Sequence, residues 1–198
     1  MRDLIGSRLI NIATQIVETD INQKEIHAVI IGDEILSGKR QDKHLAYLIK
    51  TLKGYGLNIS RADYIPDDPG TIKKTIESKI GEIVFCFGGI GATPDDHTRK
   101  AASLAHKKPL EQHRQAKILI EKQFGDEAYP KRILMAELPK SAQIIPNTIN
   151  NVPGFFIDHH YFMPGFPEMA WPMIDWVIKN QYDFLINLKN IEDQSIWL

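Results

Sequence analysis

Gly88, Gly89 and Gly91, followed by Thr93, Pro94, Asp95 and Asp96, stand directly after the apolar run Ile83–Phe87. A buried strand that ends in glycines can turn sharply and bring its backbone amides close to a ligand. Where a helix then opens, those amides favour an anion. Asp95 and Asp96 beside such a cradle would repel a phosphate unless a divalent cation lay between them. Mg²⁺ is commonly held that way, by one or two carboxylates plus substrate phosphates. Asp33 and Glu34, after the run Ala28–Ile31, and Asp67, after Ile65, supply further carboxylates. The chemistry on offer is capture of a phosphorylated ligand with a metal. If water is oriented as well, a phosphoanhydride can be split: the metal polarises a phosphoryl oxygen while the Gly89 and Gly91 amides stabilise developing charge. Asp33, Asp95 and Asp96 are the candidate catalytic carboxylates, with Asp33 and Asp95 as metal ligands. Ser37, between Gly32 and Gly38, suits a hydrogen bond to phosphate or ribose; no nucleophile elbow surrounds it. Arg99, about one turn into the following helix, is placed to neutralise a second phosphate.

Each of these residues also has a plainer role. Thr93 is a good N-cap, Pro94 suits a first helical position, and Asp95 and Asp96 favour a first helical turn electrostatically. Asp68 before Pro69 reads better as a cap than as a ligand, which leaves Asp67 the better site candidate. Asp33 and Glu34 lack that alternative, because the clear helical pattern begins only near His44. His159 and His160 fall at a turn, where solvated polar residues are expected. His97 reads as an exposed helix residue, and Trp171 and Trp176 read as core or interface.

The elements that must position these residues alternate between strand and helix from His27 onward, the pattern of a parallel sheet covered on both faces. Ala28–Ile31 is a short unbroken apolar strand. Leu45, Leu48, Ile49 and Leu52 form a helical stripe ending at Gly54 and Gly56. A second strand runs from Leu57 to Ile65. Ile72, Ile76 and Ile80 then line one face of a helix capped by Asp68. The third strand is Ile83–Phe87, whose continuous apolar character suits burial on both faces. Ala116, Leu119, Ile120 and Phe124 mark a helix from Gln112 that Gly125 closes. Ala142 to Ile145 reads as a strand stopped by Pro146, and the segments 155–158 and 161–163 as a hairpin. The hairpin runs into Pro164-Gly165-Phe166-Pro167 and a last helix with Ala170, Met173, Ile174 and Val177 on one face. Ligands in open α/β sheets bind beyond the carboxyl ends of the strands. If the first, third and last of these strands are parallel, their loops form one cleft, to which Pro164, Gly165 and Pro167 also belong.

Composition narrows the class. The 198 residues carry a net charge of −1 and a pI near 6.7, which gives no basic footprint for nucleic acid. The one cysteine, Cys86, sits in an apolar run and cannot pair within the chain. No apolar run approaches the roughly 20 residues that span a bilayer, so no membrane partner and a reducing cytoplasm are expected. Residues 1–24 carry Ile5, Leu9, Ile12 and Ile16 at helical spacing. They read as an amphipathic extension packed on the domain or on a second subunit, ahead of a domain over 25–185 and a tail over 186–198. A homo-oligomer is expected.

The combination GDEILSG, then GGIGATPDDHTR, then PGF and PGFP resembles the molybdopterin-binding domain of the MoaB and Mog type. It is nearest to the N-terminal domain of the competence/damage-inducible CinA family, over about residues 26–183. The resemblance implies a three-layer α/β/α fold with a mostly parallel sheet, often oligomeric, that binds a phosphorylated pterin, an adenylated pterin or a nucleotide. It also implies a pyrophosphatase activity dependent on Mg²⁺, Co²⁺ or Mn²⁺ toward ADP-ribose, FAD or similar compounds. Ile90 and Ala92 stand where Thr and Pro are common, which points away from adenylyl transfer of the Mog type. The C-terminal deamidase domain of that family has no counterpart here, so amide hydrolysis of nicotinamide mononucleotide is not expected. Hydrolase, binding module without turnover, and non-catalytic structural subunit all stay open at this level.

Overall fold

The computed structural model describes residues 24–182. The expected amphipathic extension, Lys24 apart, and the tail over 186–198 therefore lie outside the described residues. Six strands form one sheet in the order β2-β1-β3-β8-β7-β6. They are β1 (Ile26–Ile31), β2 (Arg61–Ile65), β3 (Ile83–Phe87), β6 (Gln143–Ile145), β7 (Gly154–Ile157) and β8 (His160–Met163). β1 pairs in parallel with β2 and β3, and β3 in parallel with β8. Only β7 runs against its neighbours. The carboxyl ends of β1, β3 and β8 thus share one edge, the condition on which a single cleft depended.

Alternate residues of the central strands enter two separate cores, which explains their unbroken apolar runs. Val29, Ile31, Val84 and Cys86 pack with α3 (Pro69–Glu77), α4 (Thr98–Ala105) and α5 (Arg114–Phe124) through Ile72, Ile76, Ala102 and Ile120. Ala28, Ile30, Phe85 and Phe87 face the other way, against α2 (His44–Lys53) and α6 (Pro167–Gln181) through Leu48, Leu52, Ala170, Met173 and Ile174. The architecture is three-layered, α/β/α. Cys86 is wholly buried in the first core, and that burial pushes its thiol pKa up, so it packs as a small hydrophobe.

Several expectations need correction. β2 begins at Arg61 rather than Leu57: the Leu57 amide bonds the Leu52 carbonyl, so the helix C-terminus holds the chain off the sheet until Ser60 reaches Ile26. Asp68 caps α3 through the Thr71 amide as expected, but the helix ends at Glu77 and Ile80 is exposed. Asp33 and Glu34 do occupy a first helical turn, in the single turn α1 (Asp33–Leu36). No helix starts at Thr93; α4 starts at Thr98 with His97, half-buried, as N-cap. His160 is a buried strand residue, and only Asp158 and His159 form the hairpin turn. A small ribbon of β4 (Leu110–Gln112) and β5 (Glu137–Pro139) was not anticipated.

Candidate functional site

The glycine loop is built by close approach. Gly88 has φ +106, and a Cβ there would lie 2.3 Å from the Ile31 carbonyl oxygen. Its amide donates to the Met163 carbonyl (2.9 Å), so the ends of β1, β3 and β8 meet at this residue. Gly89 has φ +67 and leaves room only for the Thr98 hydroxyl, which donates to the Gly88 carbonyl (3.0 Å). Both positions require glycine. Gly165 comes so near that its Cβ position is 3.5 Å from the Gly88 Cα, so the Pro164–Pro167 turn lies against the same loop. Below that turn, His44 stacks on Phe87 at 4.6 Å, and the Gly165 backbone lies against its ring; burial lowers the His44 pKa and keeps the ring neutral.

A cleft of about 560 Å³ opens where these loops converge. Of the residues singled out from sequence, it gathers Glu34, Asp67, Gly88, Gly89, Gly91, Thr93, Asp95, Asp96, Pro164 and Gly165. Gly32, Asp33, Ser37, Gly38, Arg99 and Pro167 do not line it. Asp33 stays adjacent, because its amide donates to the Asp67 carboxylate (3.0 Å). The Asp67 carboxyl is raised from its ordinary value, first by burial and then by the charges of Glu34, Asp33 and Asp95, which together outweigh the lowering by the Asp33 amide bond. Glu34, Asp67 and Asp95 therefore share the cleft lining, and Asp33 adds its charge from beside Asp67 without lining it.

Asp96 is turned inward. Its carboxylate accepts from the Thr93 amide (2.8 Å) and hydroxyl, and the Asp96 amide donates back to the Thr93 carbonyl (3.0 Å). The residues that promised a helix cap thus close a turn on themselves. Asp95 projects from that turn, exposed. Among the described residues no acceptor is bonded to the amides of Gly89, Ile90, Gly91 or Ala92, which leaves this arc of donors available to an anion.

Arg99 is 9 % exposed and points away from the cleft. Its guanidinium donates to the carbonyls of Gly91 (2.8 Å), Leu134 and Glu137 (3.4 Å). It ties the glycine loop to the segment before β5 instead of meeting a phosphate. The cleft's own cation is Arg40, which sequence reasoning missed. It lies 3.5 Å from the Glu34 carboxylate and 5.3 Å from the centre of the exposed Phe166 ring. The signal was present: Arg40 follows Gly38 by two residues in the loop already chosen for ligand contact. The wall made by Met135, Asn150 and Val152 comes from the irregular stretch of the chain and carried no signal, and Phe124 and Met169 join it from the ends of two helices whose contact with the cleft the sequence did not show.

No group of three His, Cys, Asp or Glu side chains among the described residues is arranged to hold a metal ion. The donor set suits a divalent cation only where a ligand's oxygens complete its shell, with Asp67 and one of its neighbours as protein ligands. No helix among the described residues is long and apolar enough to cross a membrane.

A family model described as a probable molybdopterin binding domain matches residues 27–183. A CinA-like protein of Desulforapulum autotrophicum is 32% identical over 164 residues, covering 78% of this chain and 39% of the relative. A CinA-like protein of Citrifermentans bemidjiense is 33% identical over 155 residues, covering 73% and 37%. The chain thus spans about two-fifths of the length of these relatives. The crystal structure of the protein CinA from Thermoplasma acidophilum superimposes with a TM-score of 0.73 at 24% identity, covering 79% of this chain and 98% of that one. The molybdopterin biosynthesis enzyme MoaB from Thermus thermophilus gives 0.50 at 17% identity, covering 85% and 98%. These two likenesses bear on the fold.

Proposed function

Because the chain belongs to the probable molybdopterin-binding domain family and is of the CinA-like type, we propose that its cleft binds a phosphorylated pterin or nucleotide together with a divalent cation. The observation that carries this reading is the convergence, in one cleft, of an arc of unbonded glycine-loop amides, the guanidinium of Arg40 and the crowded carboxylates around Asp67. The amides and Arg40 answer a phosphate's negative charge. The carboxylates oppose it, and a cation between the two resolves the conflict. Phe166 beside Arg40 offers an exposed aromatic face to a ring system. A cytoplasmic homo-oligomer belongs to the same proposal.

The crowding of Asp67 also favours a second reading, metal-dependent hydrolysis of a nucleoside diphosphate conjugate. A bound cation would polarise a phosphoryl oxygen. The chain's own part would be to hold the phosphate on the loop amides, with Asp67 and Asp95 nearby to orient water.

Thermal shift with AMP and Mg²⁺ tests the binding proposal. The parent chain is expected to melt several degrees higher with both present than with either alone. Asp67→Asn and Asp95→Ala are expected to lose that joint stabilisation while folding normally. Asp67→Asn should also melt above the parent at neutral pH without ligand. The raised Asp67 pKa means that stability falls as pH rises from the ordinary carboxylate value through the higher folded one, and the amide removes that loss. Metal-dependent stabilisation equal to the parent's in both variants would place the cation elsewhere. Incubation with ADP-ribose or FAD and Mg²⁺, Co²⁺ or Mn²⁺ separates the readings: product formation supports hydrolysis, and stabilisation without product supports binding alone.

A further inference from the structure

The core on the α2 and α6 face of the sheet is open at the edge opposite the cleft. A pocket of about 240 Å³ lies there, walled by Ile26 and Ile83 at the start of β1 and β3, by Phe85, by Leu52 and Leu57 at and after the end of α2, and by Ile178 in the last turn of α6. About 150 Å³ between such side chains is enough to hold a benzene ring, so this pocket takes at least one large aliphatic group. Lys24, the first described residue, also lines it. Its ammonium donates to the Gly81 carbonyl (2.9 Å) and the Glu25 amide donates to the Glu82 carboxylate (2.6 Å), which ties the chain to the rim before β1 begins. The 23 residues ahead of Lys24 therefore start from the mouth of the pocket.

Their sequence carries what the pocket lacks. Ile5, Leu9, Ile12 and Ile16 follow one another at spacings of four, three and four, which puts them on one side of a helix, while Ser7 and Thr14 fall on the other. In water a helix of that length is marginal until its apolar face is packed. Ile16 stands eight residues before Lys24, a link that spans at most about 28 Å, so the stripe is within reach of the pocket. Charge matches as well: the link carries Glu18 and Asp20, and the last turns of α2 and α6 beside the pocket carry Lys50, Lys53 and Lys179. We propose that residues 5–16 dock as a helix on this opening of their own chain, with Ile12 and Ile16 at the pocket. The extension then completes the second core, at the edge away from the ligand loops.

Thermal unfolding and disulfide trapping of the full chain test this. Ile12→Asp and Ile16→Asp are each expected to lower the melting midpoint by roughly 4–10 °C, the effect of unburying one large aliphatic side chain, while Thr14→Asp leaves it in place. Because Cys86 is wholly buried, an introduced pair of cysteines reports without interference. Ile16→Cys combined with Asn58→Cys, an exposed position on the pocket rim, is expected to close a disulfide within one chain. A link between two chains would give the pocket to the extension of a second copy. A link of Asn58→Cys to Phe184→Cys and not to Ile16→Cys would give it to the tail after Tyr182. Either result overturns the proposal, as does the absence of the Ile16→Cys link or a pair of stripe variants that melt no lower than Thr14→Asp. No ligand enters these measurements, so their outcome is separate from the reading of the cleft.

Discussion

Replacing Gly88 by alanine is expected to destabilise the fold by about 2–5 kcal/mol and to abolish ligand-induced stabilisation. Two costs combine. The residue sits at φ +106, where a side chain is strained, and its new Cβ would meet the Ile31 carbonyl oxygen at 2.3 Å. That oxygen belongs to the backbone at the end of β1, so it cannot swing aside as a flexible side chain would. Relief requires β1 and β3 to part, or the Gly88 amide to leave the Met163 carbonyl. Either movement opens the floor on which the loop amides are held. Thermal unfolding should place the midpoint roughly 5–15 °C below the parent. Gly38→Ala is the control: its φ is +74 but nothing lies within 4 Å of the Cβ, so only the conformational cost, about 1 kcal/mol, is expected. A Gly88→Ala chain that melts with the parent would show that the loop is not pinned between strands.

The same contact explains why the centre of the site could be read from sequence. A glycine pair after a continuous apolar strand has few purposes other than close backbone approach, and Ile83–Phe87 is the strand it follows. Alternating strand and helix signals pointed to a parallel pairing of β1 and β3, whereas β8, the second arm of a hairpin, entered the convergence of loops only as a condition, which its parallel pairing with β3 meets. What misled was chemistry with two uses. Thr93, Pro94, Asp95 and Asp96 have the residue types of a helix start, yet the Thr93–Asp96 hydrogen bonds spend that capacity on a turn, and α4 waits for Thr98. Arg99 lies close to the glycines in sequence, but whether a guanidinium meets a phosphate or three carbonyls depends on the segment before β5, 35 to 38 residues away. The walls from Met135 and Val152 have the same origin: they come from parts of the chain with no periodic pattern, while Phe124, the last residue of a helix that was legible, reaches the cleft through packing that the sequence does not show. His160 looked like a turn residue because two adjacent histidines suggest solvent; pairing in β8 buries the second of them.

That burial makes acid lability the other large expected effect. His160 is 1% exposed, and one ring nitrogen, Nε2, lies 2.9 Å from the Lys79 carbonyl. A carbonyl only accepts, so Nε2 carries the proton and Nδ1 accepts from His106 Nε2 at 3.1 Å. Nδ1 therefore has no free place for a second proton. Burial is the main cause that lowers the His160 pKa to about 4, and the neighbouring His106 and His159 act in the same direction. The Lys79 carbonyl and the Asp158 carboxylate, which also lies 3.4 Å from His106 Nδ1, oppose the shift without cancelling it. Because the folded value is below the ordinary histidine value of 6.5, this neutral histidine favours the fold fully above about pH 6.5, and the advantage is lost as pH falls toward 4. The span corresponds to about 3 kcal/mol from this group. Urea unfolding between pH 7 and pH 4 should show the parent losing that much more stability than His160→Gln, whose side-chain amide can still donate to Lys79 but does not titrate. The comparison rests on the slope with pH, so a lower starting stability in the variant does not obscure it. Parallel slopes for the two chains would mean that the buried ring accepts a proton without disturbing the Asp158–His106–His160 chain.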